Sequence, residues 1–346
     1  TIKDLENSDL TYEKKHELNI GADLGFLDNR INLTVDWYKR DNFDLIGRVM
    51  TQGIGGQIQK YGNVATMKSR GIEFSLSTKN IKTKDFSWTT DFIYSHMKNE
   101  VTKFNTSTRA FNLVSGIGFS REGYPVNSLF SYDFRGLNED GVPTFINEAG
   151  VLTSTDINFQ ETERFDNLVY SGPSEPTDVG SFGNIFQYKG LRLNVFITYS
   201  FGNVVRLDPV FSSIYNDLDA MPREFRNRWM TPGDERYTDV PAIVSSRQVR
   251  NDSKLSYAYN AYNYSTARIA KGDFIRMKEI SLTYDFPKRW IKKLRMSNLA
   301  LKIQATNLFL IYADKKLNGQ DPEFFNSGGV ATPVPKQFTL MLKIGL

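Results

Sequence analysis

The stretch ELNIGADLGFLDNRINLTVDWYKR, residues 17–40, decides the fold. Apolar and polar side chains alternate in both of its halves, because successive β-strand side chains point to opposite faces. The apolar series is Leu18, Ile20, Ala22, Leu24 and Phe26, followed by Ile31, Leu33, Val35 and Trp37. The Asp28-Asn29 pair between the two series predicts a tight turn, so the stretch is predicted to be a β-hairpin.

The length of this hairpin separates a soluble sheet from a membrane sheet. Alternation alone fits any antiparallel sheet that has one solvated face. A strand in a globular protein averages about 5 to 6 residues, whereas a strand tilted across a bilayer needs about 9 to 11 and keeps one face apolar throughout. Both strands reach the longer span, which predicts a transmembrane β-hairpin.

The composition excludes several other classes of protein. The chain has 346 residues, of which 40% are hydrophobic and 13% aromatic, with no cysteine and a formal net charge of +4. It contains no run of 18 apolar residues, so a helical membrane span is excluded. The mean hydropathy of −0.41 is compatible with a β-barrel, since a polar lumen face cancels the lipid face in the average. The absence of cysteine excludes disulfides and thiolate metal sites, and the scattered Lys and Arg indicate no nucleic-acid partner.

The same alternation returns along the rest of the chain. Further strands are predicted near 68–80, 86–99, 129–134, 182–188, 191–201, 280–286, 299–305 and 338–346, with a weaker one at 144–147. Together with the hairpin they make about eleven strands. Long loops are predicted near 41–66, 97–125, 148–178, 202–271 and 311–334. Short turns and long loops alternate strictly, which is typical of outer-membrane barrels, whereas a β-sandwich would have turns of comparable length at both ends.

Aromatic side chains concentrate near both ends of the predicted strands. Those towards the long loops are Trp37, Tyr94, Tyr199 and Phe201, and those towards the short turns are Phe26, Trp88, Tyr188, Tyr284 and Phe286. Aromatic residues favour strands in general. Their bias towards both ends nevertheless favours two girdles at the interfaces of a bilayer.

Three features could suggest chemistry, and a structural interpretation of each is favoured. The glycines of 53–56 lack the following Lys-Ser/Thr and helix of a phosphate-binding loop. The acidic turn at 138–141 lacks EF-hand spacing, and its Asp-Gly is typical of a tight reversal. His16 and His96 lie at strand ends on the outward face, where interfacial packing is expected rather than a Ser-His-Asp arrangement. We therefore predict no enzymatic activity, no metal site and no cofactor.

Seven groups of residues resemble the SusC/RagA family of TonB-dependent outer-membrane transporters. They are GADLGFLDNR (21–30), GIEFSLSTKN (71–80), EGYPV (122–126), GLNEDG (136–141), RW (228–229) followed by PGD (232–234), GDFIRMK (272–278), and ATNLF (305–309) followed by DPE (321–323). Each motif is short, but their combined order is specific and covers nearly the whole chain.

The resemblance implies a barrel of about 22 strands with an N-terminal plug, energised through TonB and capped by a SusD-like surface lipoprotein. Residues 1–346 are then expected to be the C-terminal half of that barrel domain, with the plug, the TonB-contacting box and the signal sequence expected elsewhere. Because lipid does not tolerate unpaired strand edges, the remainder of the barrel is expected to pair with this chain.

The predicted function is import across the outer membrane of glycan oligosaccharides or peptides delivered by the lipoprotein. The alternatives are a non-transporting outer-membrane barrel or adhesin, and a TonB-dependent importer of another cargo such as a siderophore. Aromatic rings stack on sugars, and Arg binds hydroxyl or peptide groups, so ligand contacts are expected in the outer loops. The candidates are Tyr215, Arg228, Trp229, Tyr257, Tyr259 and Phe324; each could instead pack a loop or contact the lipoprotein.

Overall fold

The structure is a computed structural model that describes residues 7–51, 53, 59–106, 108–116, 120–210, 222–293, 296–325 and 335–345. Its strands are β1 (Lys14–Phe26), β2 (Ile31–Met50), β3 (Gln59–Lys82), β4 (Phe86–Phe104), β5 (Ser128–Tyr132), β6 (Phe134–Leu137), β7 (Pro143–Ile146), β8 (Leu152–Thr153), β9 (Leu168–Pro173), β10 (Asp178–Tyr188), β11 (Leu191–Phe201), β12 (Val204–Arg206), β13 (Ile269–Lys271), β14 (Phe274–Asp285), β15 (Asn298–Ala313) and β16 (Gln337–Gly345). Its α-helices are α1 (Ala110–Ser115), α2 (Ser246–Asn251), α3 (Leu255–Asn263) and α4 (Lys288–Lys293). None of the helices in these ranges is long and apolar enough to cross a membrane.

Nine strands form one sheet in the order β1-β2-β3-β4-β10-β11-β14-β15-β16. Every neighbouring pair is antiparallel. Strands that are adjacent in this order are also consecutive members of the sheet along the chain, so the sheet is an up-and-down meander, as in a barrel wall. The predicted fold class, an all-β antiparallel barrel wall, is confirmed.

Two of the eleven predicted wall strands lie outside this sheet. The segment predicted at 129–134 forms β5, paired with β9, and β6, while 144–147 falls on β7 between β6 and β8. The reason is burial on both faces: every residue of Ser128–Tyr132 is buried, whereas a wall strand keeps one face against lipid. Periodicity alone does not distinguish the two environments, and the wall therefore has nine strands instead of eleven.

The hairpin of β2 and β3 is longer than predicted. It continues through most of 41–66, which we predicted to be a loop, with pairing from Leu45↔Ala65 to Met50↔Gln59. The register slips near Asp44, whose φ is 56°, and this bulge interrupts the period of two without ending the strands. The extension adds roughly 20 Å of hairpin beyond the bulge. β4 and β15 likewise extend into the segments predicted as loops at 97–125 and 311–334.

The two faces of the sheet differ in chemistry as the alternation predicts. We call the apolar face outward and the polar face inward. Large outward side chains are exposed, among them Ile20, Leu282, Ile303, Leu340 and Leu342. On the inward face the Asn194 side chain donates to Glu279 Oε1 at 3.2 Å, and Gln304 donates to Glu279 Oε2 at 3.1 Å. A polar network thus crosses three strands of the inward face.

The predicted aromatic positions form ring pairs on the outward face. Near the short turns, Trp88 stacks on Phe186 with their ring centroids 5.6 Å apart. Near the long loops, the ring centroids of Tyr199 and Phe201 are 5.8 Å apart. The rings therefore line both ends of the sheet.

The long connections fold into a body with its own core, which we call the loop lobe: the described residues of 105–177, 202–273 and 314–325. Its main cluster of buried residues is Ala110, Leu113, Val114, Phe130, Tyr132, Phe145, Ile157, Phe159, Leu168, Val210, Ala261 and Tyr262. Smaller clusters surround Tyr259 and Leu317. The lobe packs at the long-loop end of the sheet and positions the candidate site.

Candidate functional site

A cavity of 560 Å³ lies between the sheet and the loop lobe. Its walls carry hydroxyl, amide, ring and charged groups. The sheet contributes Val179, Gly180, Thr198, Tyr199, Ser200, Phe274 and Lys278, and the lobe contributes Ser174, Pro176, Asn203, Val205, Gly272, Pro322, Glu323 and Phe325. Such a mixture of rings and polar groups can bind a hydroxyl-rich or amide-rich ligand.

Strand register shapes the sheet side of this cavity. Ser200 pairs with Phe274 and Thr198 pairs with Arg276, so two small hydroxyl side chains lie on the inward face beside larger neighbours. Between Phe196 and Ile197 the pairing skips Lys278. Because a bulge of this kind re-aims a side chain, a lysine enters the lining of the cavity.

A buried arginine holds the lobe side of the cavity against the sheet. Arg276 is 5% exposed, and its Nη2 lies 2.5 Å from Asp321 Oδ1 and 3.1 Å from Glu323 Oε2. Asp321 also accepts the backbone N–H of Glu323 at 3.1 Å, which fixes the short helix Pro322–Phe324. The GDFIRMK and DPE motifs therefore meet as one ion-pair cluster.

Two further arginines, the half-buried Arg206 and the buried Arg268, tie segments of the lobe together. Arg206 Nη2 donates to Phe130 O at 2.7 Å and to Ser131 Oγ at 3.2 Å, and burial lowers the pKa of Arg206 to about 10. Arg268 Nη1 lies 2.5 Å from Glu224 Oε1.

Sequence analysis missed all three arginines. Alternation does not indicate Arg276, because it shares the even parity of the apolar Ile280 and Leu282. Only the bulge at Lys278 turns it to the inward face, opposite Thr198.

Trp229 joins two more of the motifs. Its ring covers Gly141, where an added Cβ would lie 2.5 Å from Trp229 Cδ2. Its indole N–H donates to Glu235 Oε2 at 3.1 Å. The backbone N–H of Glu235 itself, followed by this indole, holds the pKa of the Glu235 carboxyl below its ordinary value. Trp229 is thus a packing residue of the lobe in this conformation.

Replacing Gly141 with alanine is expected to loosen this contact. Gly141 has φ +72°, so alanine adds backbone strain of about 1–3 kcal/mol and a clash with the ring. Gly150→Ala is a matched control, because it lies in the same Asn-x-x-Gly turn type with φ +75° and nothing near its Cβ. Hydrogen exchange at 229–242 should accelerate in Gly141→Ala alone; equal effects of the two variants would contradict the contact.

The other predicted ligand residues lie in different environments. The Arg228 guanidinium lies 5.2 Å from the Phe225 ring centroid. Tyr257 is 47% exposed, with its ring 6.0 Å from that of Phe159. Tyr259 is buried, its hydroxyl donates to Ala242 O at 2.8 Å, and burial raises its pKa.

The structure does not gather these candidates into one site. Trp229 and Tyr259 lie on the turn at 141–142, Trp229 against Gly141 and Tyr259 in the cluster of Val142. Phe324 ends the short helix whose neighbours line the cavity. Tyr215 lies outside the described residues. Ligand contact by these residues stays a prediction.

The two histidines make outward contacts. His16 packs edge-on against Phe43 with centroids 5.2 Å apart. His96 was expected to pack in neutral surroundings, but its Nδ1 lies 2.8 Å from Asp178 Oδ1, which also accepts the Tyr94 hydroxyl at 2.6 Å. Among the hydrogen bonds of the described residues, no serine pairs with His96 to complete a catalytic triad.

Comparison with known proteins relates this geometry to a family. The sequence model described as "TonB dependent receptor-like, beta-barrel" matches residues 3–308. The TonB-dependent receptor SusC of Bacteroides thetaiotaomicron is 27% identical over 357 residues, covering 98% of this chain and 32% of SusC. TonB-dependent receptor P3 of Formosa agariphila is 26% identical over 340 residues, covering 93% of this chain and 32% of its own length.

A solved structure of the RagAB peptide transporter matches with a TM-score of 0.76 and 24% identity, covering 100% of this chain and 37% of that chain. At this identity the match shows the fold. The chain spans about a third of the length of the curated relatives it matches. The resemblance to SusC and RagA predicted from the motifs is confirmed, and the chain belongs to the TonB-dependent receptor-like β-barrel family.

Proposed function

We propose that this chain forms part of the wall of an outer-membrane importer of SusC type. Energised through TonB, the complete protein takes up glycan oligosaccharides or peptides that a SusD-like surface lipoprotein delivers. Residues 1–346 form the C-terminal portion of its barrel domain, and the plug and the TonB contact belong to the rest of the protein.

The observation that carries this proposal is the nine-stranded wall with one apolar and one polar face in a chain of the TonB-dependent receptor-like family. β1 and β16 are the two edges of the described sheet. Unpaired backbone groups cost several kcal/mol each in lipid, so further strands of the same barrel are expected to pair with both edges.

The cavity beneath Pro322–Phe325 is the proposed cargo contact. Thr198 and Ser200 offer hydroxyls, and the rings of Phe274 and Phe325 offer apolar contact, which suits either sugar hydroxyls or a peptide backbone. On the lobe side, an ion pair with Arg276 holds the lining residue Glu323 against the sheet. Its position on the inward face would place bound cargo in the lumen.

The double substitution Thr198→Val and Ser200→Ala tests this contact. Removing two hydroxyls that bind cargo is expected to weaken binding by about 1–3 kcal/mol in total, which raises the half-saturating cargo concentration roughly 5- to 150-fold. The measurement is concentration-dependent uptake of labelled cargo by cells that produce the full-length protein.

The matched control is Ser281→Ala with Thr283→Val, which removes the same groups from inward positions of β14 outside the cavity lining. Its uptake should resemble that of the unmodified protein. Equal uptake by both double variants would contradict cargo binding in the cavity. Failure of the unmodified protein to take up any glycan or peptide would contradict the importer itself.

A further inference from the structure

Four cations lie together on the outward face near the long-loop end of the sheet. They are Lys39 on β2, Lys68 and Arg70 on β3, and Lys98 on β4, and we call them the basic patch. All four are exposed. Each shares the outward parity of the apolar residues on its own strand, and together they line a surface depression of 370 Å³.

The strand register places three of these cations in one row. Lys39 pairs with Arg70, and Arg70 pairs with Lys98. Like charges directly opposite each other on adjacent strands destabilise a sheet. Within the described part of the chain, no carboxylate oxygen lies within 4.0 Å of any cation of the patch.

Carboxylates on this face lie in the two neighbouring rows. Asp178, bonded to His96, belongs to the row towards the short turns, and two acids belong to the row towards the long loops. There Lys68 pairs with Asp41 on one side and with Glu100 on the other. These two acids flank Lys68, so the row of three cations has no acidic partner in its own register. An anion from outside the chain would relieve this repulsion.

In the proposed membrane position, the row lies at the depth of lipid headgroups. The neighbouring outward row, two residues along each strand towards the short turns, contains Trp37, Ile72 and His96. In this row Trp37 pairs with Ile72, and Ile72 pairs with His96. A step of two residues along a strand is roughly 7 Å. The headgroup region adds about 5 to 8 Å on each side of the hydrocarbon core, so a patch 7 Å beyond the row of Trp37 and Ile72 falls within it.

Outward cations without an ion pair are concentrated on three strands, because the outward Lys14 of β1 is paired with Asp44. At the long-loop ends of β11 and β14, the outward residues Phe201 and Ile275 are apolar. Cations that merely extend their side chains towards the membrane surface would be expected at the ends of all the strands of the sheet. The patch instead combines a planar guanidinium, which matches phosphate in a bidentate manner, with three ammonium groups and the edge of Trp37 in one depression.

We propose that the basic patch binds the phosphate of an anionic lipid headgroup in the outer leaflet. This inference rests on the proposed membrane position of the sheet, since that position brings a headgroup to the depression. The bound lipid would neutralise the row Lys39-Arg70-Lys98 and fix the β2-β3-β4 segment of the wall relative to the bilayer.

The test uses the full-length protein in phosphatidylcholine nanodiscs doped with phosphatidylglycerol, with retained lipid counted by native mass spectrometry. The variant Arg70→Gln/Lys98→Gln should hold phosphatidylglycerol roughly 10- to 30-fold more weakly, given the contribution of each basic residue near an anionic surface. The control Arg192→Gln/Lys343→Gln removes two inward cations that have no ion pair in the described residues, and it should retain lipid like the unmodified protein.

Three results would overturn the inference. The first is equal retention by the patch variant and its control. The second is equal retention of phosphatidylcholine and phosphatidylglycerol by the unmodified protein. The third is displacement of the lipid by millimolar inorganic phosphate, which would mark the patch as a site for free phosphate. Failure of the unmodified protein to enter nanodiscs would instead contradict the proposed membrane position, so the two failures are distinguishable.

Discussion

Replacing Arg276 with methionine is expected to release the segment 314–325 from the sheet. The Asp321 side chain is 9% exposed, so the variant leaves a buried carboxylate without its partner. Breaking a buried ion pair from one side costs about 3–5 kcal/mol. Backbone amides of the segment, such as those of Gln320 and Phe324, should exchange more than about 100-fold faster with solvent, as hydrogen–deuterium exchange of the full-length protein would measure.

Two further variants make this result specific. Lys302→Met removes an ion pair with Glu279 whose N···O distance is 3.9 Å and whose partners are partly exposed, so it should cost less than about 1 kcal/mol. Arg276→Met/Asp321→Asn removes both buried charges, while asparagine keeps an acceptor for the Glu323 N–H, so it should recover part of the protection. Equal exchange in Arg276→Met and Lys302→Met would contradict the role of Arg276.

The strands of the wall could be predicted from sequence because successive residues face lipid and water alternately, and each environment selects its own type of side chain. The hairpin 17–40 shows this: lipid on one face and water on the other impose a period of two that needs no knowledge of distant segments. The prediction fails at bulges. Asp44 and Asn307 have φ of 56° and 52°, and there the chain slips its register while remaining a strand.

The loop lobe was not predicted, because its core combines short apolar groups from segments that are far apart in the sequence. Helix α3 shows the signal that was missed: Ala258, Tyr259, Ala261 and Tyr262 are buried at helical spacing inside a connection that was interpreted as a loop. The opposite error occurred at 128–132. Burial on both faces there produced an apolar strand that resembled part of the wall.

The candidate cavity also depends on contacts between distant segments. The motifs at 272–278 and 321–323 were both noticed, but only the structure shows that Arg276 and Asp321, 45 residues apart, form an ion pair beside the cavity. The same is true of Trp229 and Gly141. Each belongs to a recognised motif, but the contact between them was not predicted. The motifs could be identified from the sequence, but the contacts between them could be identified only from the folded structure.

The most direct test of the account is an arginine placed on each face of β11, an interior strand of the sheet. Val195 faces outward opposite Ile280, whereas its neighbour Asn194 faces inward and bonds Glu279. An arginine on the lipid face near the bilayer midplane costs about 2–4 kcal/mol, while an inward arginine can reach Glu279 and water.

The measurement is the free energy of unfolding in urea of the full-length protein, reconstituted in phosphatidylcholine bilayers. Val195→Arg should lower this free energy by about 2–4 kcal/mol, and Asn194→Arg should change it by less than about 1 kcal/mol. Equal costs at the two positions, or a larger cost at Asn194, would contradict a wall with one face in lipid and the other in water.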